Sequence, residues 1–202
     1  MTSTHHSTAA TGKPKGAGIG LFFASYLKNP LKVASIVPSS KSLSRLVASH
    51  VDPKEPGWTI ELGGGTGPVT TALLERGIAP SRLMVLERDP AMAAFLREKF
   101  PAITMVEDDA LHLPQIFERY GITEINAIVC GLPLISMPKD IGDKIVELGR
   151  DAMGPNGRFI QYTYSLFSPL PYERFGLVPV SVKRTLFNVP PAAAWAYGRA
   201  PR

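Results

Sequence analysis

Residues 61–70 read ELGGGTGPVT, an acidic residue followed by Gly63, Gly65 and Gly67 at alternate positions. Glycine at this spacing lets the backbone turn tightly and come close to a ligand with no Cβ in the way. A loop that follows a strand and enters a helix also aims backbone N–H groups at whatever it holds. Two common versions of such a loop do not fit. A dinucleotide fingerprint would place its third glycine where Pro68 stands, and a P-loop would need a lysine after its last glycine. Cys130 is the only cysteine, which excludes a disulfide framework and a cysteine-based zinc site and suits a reducing, cytoplasmic setting. His5 and His6 stand side by side in a Ser- and Thr-rich tail and do not make a metal site, so no metal is expected.

The elements that must position this loop can be read from the hydrophobic pattern. Short apolar runs at 58–62, 82–87, 103–107, 126–130 and 157–164 read as strands, and residues 68–76, 90–99, 111–119 and 139–152 between them read as helices. Strict alternation of apolar strands with helices predicts a parallel sheet covered on both faces. The last stretch, LVPVSVKRTLFNVPPAAAWAYGRA, has two strand-like runs and no helix, which predicts an antiparallel pair at the sheet edge. The expected fold is α/β, a seven-stranded, mostly parallel sheet with an antiparallel C-terminal pair. Before it, residues 1–17 read as a disordered tail, and residues 18–57 as N-terminal amphipathic helices. One helix carries Ile19, Phe22, Phe23, Tyr26 and Leu27 on a face. Another starts at Ser39 or Ser40 and aligns Leu43, Leu46, Val47 and Val51.

The pattern E-x-G-x-G-x-G after the first strand resembles the signature of class I S-adenosylmethionine-dependent methyltransferases, whose fold is Rossmann-like. The resemblance implies S-adenosylmethionine as cofactor and S-adenosylhomocysteine as product. It assigns Gly63, Gly65 and Gly67 to the cofactor loop, with Glu61 orienting the loop or attracting the methionine ammonium group. A carboxylate at the end of the second strand takes both ribose hydroxyls in that family, and Glu87 ends LMVLE. A polar residue and a small one after the third strand face adenine, and EDDA supplies Asp109 and Ala110.

Methyltransferases that act on planar amino groups place a polar residue, a proline and an aromatic ring after the fourth strand, to grip the amine and stack on the base. Here the stretch is Gly131-Leu132-Pro133-Leu134, without the hydrogen-bonding side chain or the ring, so a nucleobase is disfavoured and no nucleic acid is expected as partner. Together with FFASYLKNPLKVASIVPSS and NVPPAAAW, these residues are similar to bacterial phosphatidylethanolamine N-methyltransferases, a branch that resembles rRNA adenine dimethyltransferases. That resemblance spans residues 21–199 and implies methyl transfer to the amine of phosphatidylethanolamine, towards phosphatidylcholine.

Tyr26 and Tyr164 are candidates for the catalytic amine site and Tyr162 for substrate contact, through cation–π attraction to the methylated products. For any one of them, ordinary core packing is the commoner role of a strand or helix tyrosine. Lys183 and Arg184 could hold the lipid phosphate, or lie as solvated strand residues. No residue identifies itself as a general base.

Net charge is +5, and its distribution matters more than its size. Residues 1–51 carry six basic and no acidic residues, whereas residues 52–202 hold sixteen basic against seventeen acidic. A basic arm beside an aromatic helix face suits an anionic membrane surface. No apolar run reaches the roughly 18 residues that would suggest a membrane span. IGLFFASYL lacks a small-residue cleavage site after it, so it does not read as a signal peptide. The expectation is a cytoplasmic protein attached peripherally to the inner face of the cell membrane. The alternatives are an rRNA adenine dimethyltransferase and a non-catalytic membrane- or RNA-binding module on the same fold.

Overall fold

The computed structural model describes residues 39–165, 167–186 and 191–201. The tail 1–17 and the helix expected over 19–28, with Tyr26, lie outside them. In chain order the elements are α1 (Ser39–Ala48), β1 (Trp58–Leu62), α2 (Pro68–Glu75), β2 (Leu83–Glu87), α3 (Pro90–Lys99) and β3 (Thr104–Glu107). They continue with α4 (Leu113–Tyr120), β4 (Ile125–Cys130), α5 (Lys139–Ala152), β5 (Arg158–Thr163), β6 (Leu177–Thr185) and β7 (Ala192–Arg199).

The seven strands form one sheet in the order β3-β2-β1-β4-β5-β7-β6. Strands β1 to β5 pair in parallel, and β7 runs antiparallel to both β5 and β6. The expected α/β sheet with a terminal antiparallel pair is therefore present. Strand order reverses between β1 and β4, the place where an open α/β sheet leaves a crevice at its carboxyl edge. β6 takes the outer position, where Pro179 and a register shift beside it are tolerated because an edge strand needs no donor on its free side.

Local chemistry sets the helix starts. Pro68 and Pro90 open α2 and α3, and the Asp89 carboxylate accepts the Met92 N–H at 2.9 Å as a cap. α4 begins two residues later than the hydrophobic pattern suggests. Asp109 first caps a 3-10 turn over Ala110–His112, accepting the Leu111 N–H, and only then does the regular helix start.

Each face of the sheet buries its own core. One holds Ile60, Leu62, Leu86, Ile128 and Phe159 with Leu113 and Ile116 of α4 and Ile145 of α5. The other holds Val85, Val129 and Ile160 with Leu73 of α2 and Leu43 and Val47 of α1. Full burial of each such side chain contributes about 1.5–3 kcal/mol. α1 thus shares a core with the sheet.

Candidate functional site

β1 ends at the reversal point, and the chain then turns through Gly63, Gly65 and Gly67, all at positive φ (80°, 54° and 80°). At Gly67 the demand is double: a Cβ there would lie 2.5 Å from the Phe100 ring, and the residue caps α2 in the left-handed region. The Gly63 N–H donates to the Leu86 carbonyl at 2.8 Å, which pins the loop to β2. The Lys99 ammonium donates to the Thr66 carbonyl at 2.9 Å and holds its outer side.

Glu61 lies beneath this loop, 2% exposed. Its carboxylate accepts the Thr70 hydroxyl at 2.7 Å, joining β1 to the first turn of α2. Burial pushes its pKa up to about 8, with the nearby Glu87 charge adding to the rise. The bond ties the start of the loop to α2.

Glu87 ends β2 and stands beside the loop. One carboxylate oxygen accepts the Gly65 N–H at 2.9 Å and the other accepts the Asp89 N–H at 2.9 Å. Each oxygen keeps a further acceptor lone pair, so the group is oriented and can still take two hydroxyl donors. At the end of β3, Asp109 turns one oxygen to the Leu111 N–H and the other to Arg88 at 3.3 Å, and Ala110 packs into the core. Its neighbour Asp108 binds His112 and Arg119, and the His112 contact holds Asp108 below the usual carboxylate range. The carboxyl edges of β1, β2 and β3 thus present a loop of small residues, an oriented carboxylate and an acidic turn in succession. The N–H groups of Gly63, Gly64, Gly65 and Gly67 are all spent on oxygens of the protein, so the loop offers room for close approach, and the open acceptor pairs of Glu87 fit ribose hydroxyls.

Across the reversal point, the segment after β4 touches the glycine loop. The Gly131 N–H donates to the Leu62 carbonyl at 2.8 Å. A Cβ at Gly131 would lie 2.9 Å from the Gly63 carbonyl oxygen and 3.6 Å from the Tyr162 hydroxyl. Leu134, at the position of the stacking ring in base methyltransferases, is 8% exposed and points into the core.

Tyr162 and Tyr164 come from β5 and its end, half-buried against the α1 side of the sheet. Lys183 and Arg184 stand apart from the cofactor loop, on the outer strand β6. Lys183 donates to the Ser49 carbonyl at 2.8 Å and to the Ser49 hydroxyl at 2.9 Å, holding the C-terminal end of α1. Beside it, burial and the Lys183 charge push His50 down to about 4. Arg184 is exposed, with its guanidinium 6.0 Å from the Trp195 ring.

Gln161 belongs to none of the motifs in the sequence. It is 6% exposed, and its amide nitrogen donates to the Leu132 carbonyl at 3.2 Å, tying β5 to the segment that follows β4. The available signal was a polar residue at a core-facing position of an apolar strand. Among the described residues no group of three His, Cys, Asp or Glu could hold a metal, and no helix is long and apolar enough to cross a membrane.

No family model matches the chain. It is 34% identical over 181 residues to the ornithine lipid N-methyltransferase of Singulisphaera acidiphila, an alignment covering 87% of this chain and 93% of that protein. It is also 34% identical over 97 residues to a probable ribosomal RNA small subunit methyltransferase A of Natronomonas pharaonis, but this covers 45% of the chain and 32% of that protein. Among solved structures, the 1,6-didemethyltoxoflavin-N1-methyltransferase of Burkholderia thailandensis superposes with a TM-score of 0.66 at 15% identity, covering 96% of this chain and 94% of that one. The likeness at 15% identity concerns the fold alone. The near-full-length match carries the family: this chain belongs to the class I S-adenosylmethionine-dependent methyltransferases, in the family of the ornithine lipid N-methyltransferase.

Proposed function

We propose that this protein methylates the amine of phosphatidylethanolamine at an anionic membrane surface, towards phosphatidylcholine. The observation that carries the proposal is the pairing of a near-full-length lipid methyltransferase relative with an acceptor segment, Gly131 to Leu134, that lacks the groups for gripping a base. The rRNA alternative is favoured only by relatives matched over part of their length. A second reading, transfer to the amine of an ornithine lipid, is favoured by the name of the full-length relative. Both acceptors are primary amines on lipid headgroups.

When bound, S-adenosylmethionine supplies an electrophilic methyl group. In this proposal Glu87 accepts the ribose hydroxyls, Asp109 and Ala110 border adenine, and Gly63, Gly65 and Gly67 let the backbone approach the methionine portion. Glu61 holds the loop from below through Thr70. The acceptor amine enters beside Gly131 as the neutral base, its proton lost to water, and its lone pair attacks the methyl carbon as the carbon–sulfur bond breaks; Tyr162 and Tyr164 favour the cationic methylated nitrogen that results. Arg184 meets the lipid phosphate, with Lys183 behind it. Proximity and alignment then account for most of the rate gain.

The test supplies labelled S-adenosylmethionine together with vesicles of phosphatidylethanolamine, vesicles of ornithine lipid, and rRNA. Label in the first supports the proposal and label only in the second moves it to the ornithine acceptor. Label only in rRNA overturns it.

A further inference from the structure

The carboxyl edge of the sheet is divided by chemistry. After β1, β2 and β3 it carries Glu87, Arg88 and Asp89 and then Glu107, Asp108 and Asp109. After β4, β5 and β6 the character reverses. Residues 131–139, 164–165, 167–171 and 183–186 contain Lys139, Lys183 and Arg184 and not one Asp or Glu.

Each of those three segments also raises a large apolar side chain into solvent: Ile135 at 74% exposure, Phe167 at 80% and Leu186 at 80%. Ile135 sits in the 3-10 turn after β4, Phe167 in the loop after β5, and Leu186 directly after β6. These strands occupy four adjacent positions in the sheet, with β7 between β5 and β6. At about 4.8 Å per strand the three side chains hang along an edge on the order of 15 Å long. Between the first two segments lies a cavity of about 180 Å³, walled by Leu134, Ile135 and Met137 on one side and Pro169 and Leu170 on the other. Ile135 is therefore braced at the mouth of a largely apolar cavity, whose one acid, Asp143, is paired with Arg174.

We infer that Ile135, Phe167 and Leu186 form a bilayer-docking rim, which inserts into the headgroup boundary of an anionic membrane while Lys139 and Arg184 meet its charge. Apolar tips flanked by Lys139 and Arg184 are complementary to an anionic lipid surface. A soluble domain gains nothing from holding three such side chains in water on one edge. The rim adjoins the segment after β4 that touches the glycine loop, so docking by this edge brings a headgroup amine to the methyl-transfer side while its acyl chains stay in the bilayer. The inference rests on the proposed lipid acceptor. It adds the face by which the lipid is approached.

The test compares the full chain with an Ile135→Ser, Phe167→Ser, Leu186→Ser triple variant in flotation with vesicles of phosphatidylcholine and phosphatidylglycerol. Tyr120→Ser, on an exposed apolar residue at the far end of α4, is the control. All three rim positions are exposed, so the variant keeps the fold, which circular dichroism and calorimetry with S-adenosylmethionine check. The expected result is a drop in vesicle partitioning of tenfold or more for the triple variant and none for the control. Lys139→Glu should weaken binding to vesicles with phosphatidylglycerol more than to phosphatidylcholine alone. A triple variant that floats like the wild type, a control that falls equally, or a wild-type chain that binds no vesicle overturns the rim. The acceptor reading is tested separately with detergent-dispersed short-chain phosphatidylethanolamine, which needs no docking. Absence of label there overturns the acceptor and leaves the flotation result standing.

Discussion

Gly65 donates its backbone N–H to the Glu87 carboxylate at 2.9 Å, so the glycine loop and the carboxylate at the end of β2 are bonded directly to each other. The loop N–H orients the carboxylate, and the carboxylate in turn fixes the loop at a residue with φ 54°. Removing the carboxylate disturbs both the loop and the end of β2.

Glu87→Ala should therefore weaken S-adenosylmethionine binding by tenfold or more. Each hydrogen bond to a charged acceptor contributes about 1.5–3 kcal/mol, and the Gly65 and Asp89 N–H groups lose their acceptors at the same time. Calorimetry on the folded variant measures this, and wild-type affinity would remove the ribose role.

Glu61 gives a pH signature. With its folded pKa raised from 4.5 to about 8, the folded protein keeps a proton that the unfolded chain releases between those values. Stability from this group is therefore highest below about pH 4.5 and declines as pH rises through about 8. At about 1.4 kcal/mol per pH unit the total is on the order of a few kcal/mol. Glu61→Gln keeps the size of the group and removes the titration. Thermal melts from pH 5 to 9 should show a flatter profile for the variant, and parallel profiles would exclude Glu61 as the source.

Much of this was legible in the sequence because backbone demands leave marks in residue types. Gly63, Gly65 and Gly67 announce the loop, Pro68 and Pro90 announce helix starts, and apolar alternation places every strand of the parallel half. What could not be read is where a long side chain goes. Lys183 on a strand looks like a solvated or phosphate-binding cation, yet its ammonium reaches Ser49, 134 residues earlier in the chain. Gln161 likewise becomes meaningful only once β5 lies beside β4 and its amide meets the Leu132 carbonyl. Both contacts are long-range, and residue spacing encodes only local ones.

Gly131→Ala should lower both stability and cofactor affinity. The new Cβ would lie 2.9 Å from the Gly63 carbonyl oxygen and 3.1 Å from that of Leu62, both backbone atoms of the loop region that cannot swing aside. Such overpacking costs about 1–3 kcal/mol. Gly121→Ala is the comparison: nothing lies within 4 Å there and only its φ of 63° is strained, so it should cost about 1 kcal/mol of stability and leave calorimetric affinity alone. Equal affinities for the two variants would mean that the contact between Gly131 and the loop does not matter to the site.

Lys183 and Arg184 are adjacent cations that should behave differently. Lys183 spends its ammonium on two oxygens of Ser49 at the end of α1, where the helix C-terminus also favours positive charge. Lys183→Met should cost about 1–2 kcal/mol, a fall of roughly 2–8 °C in Tm for a chain of this size, with little change in KM for lipid. Arg184 is exposed and its guanidinium rests near the Trp195 face, so Arg184→Met should leave Tm within about a degree for a surface substitution. If its guanidinium meets the lipid phosphate, that variant raises KM for vesicle substrate and makes activity less sensitive to salt, because one screened attraction has been removed. Melting curves and vesicle kinetics on the two single variants separate these roles. A KM rise confined to Lys183→Met would assign the phosphate to Lys183 and reduce Arg184 to a solvated strand residue.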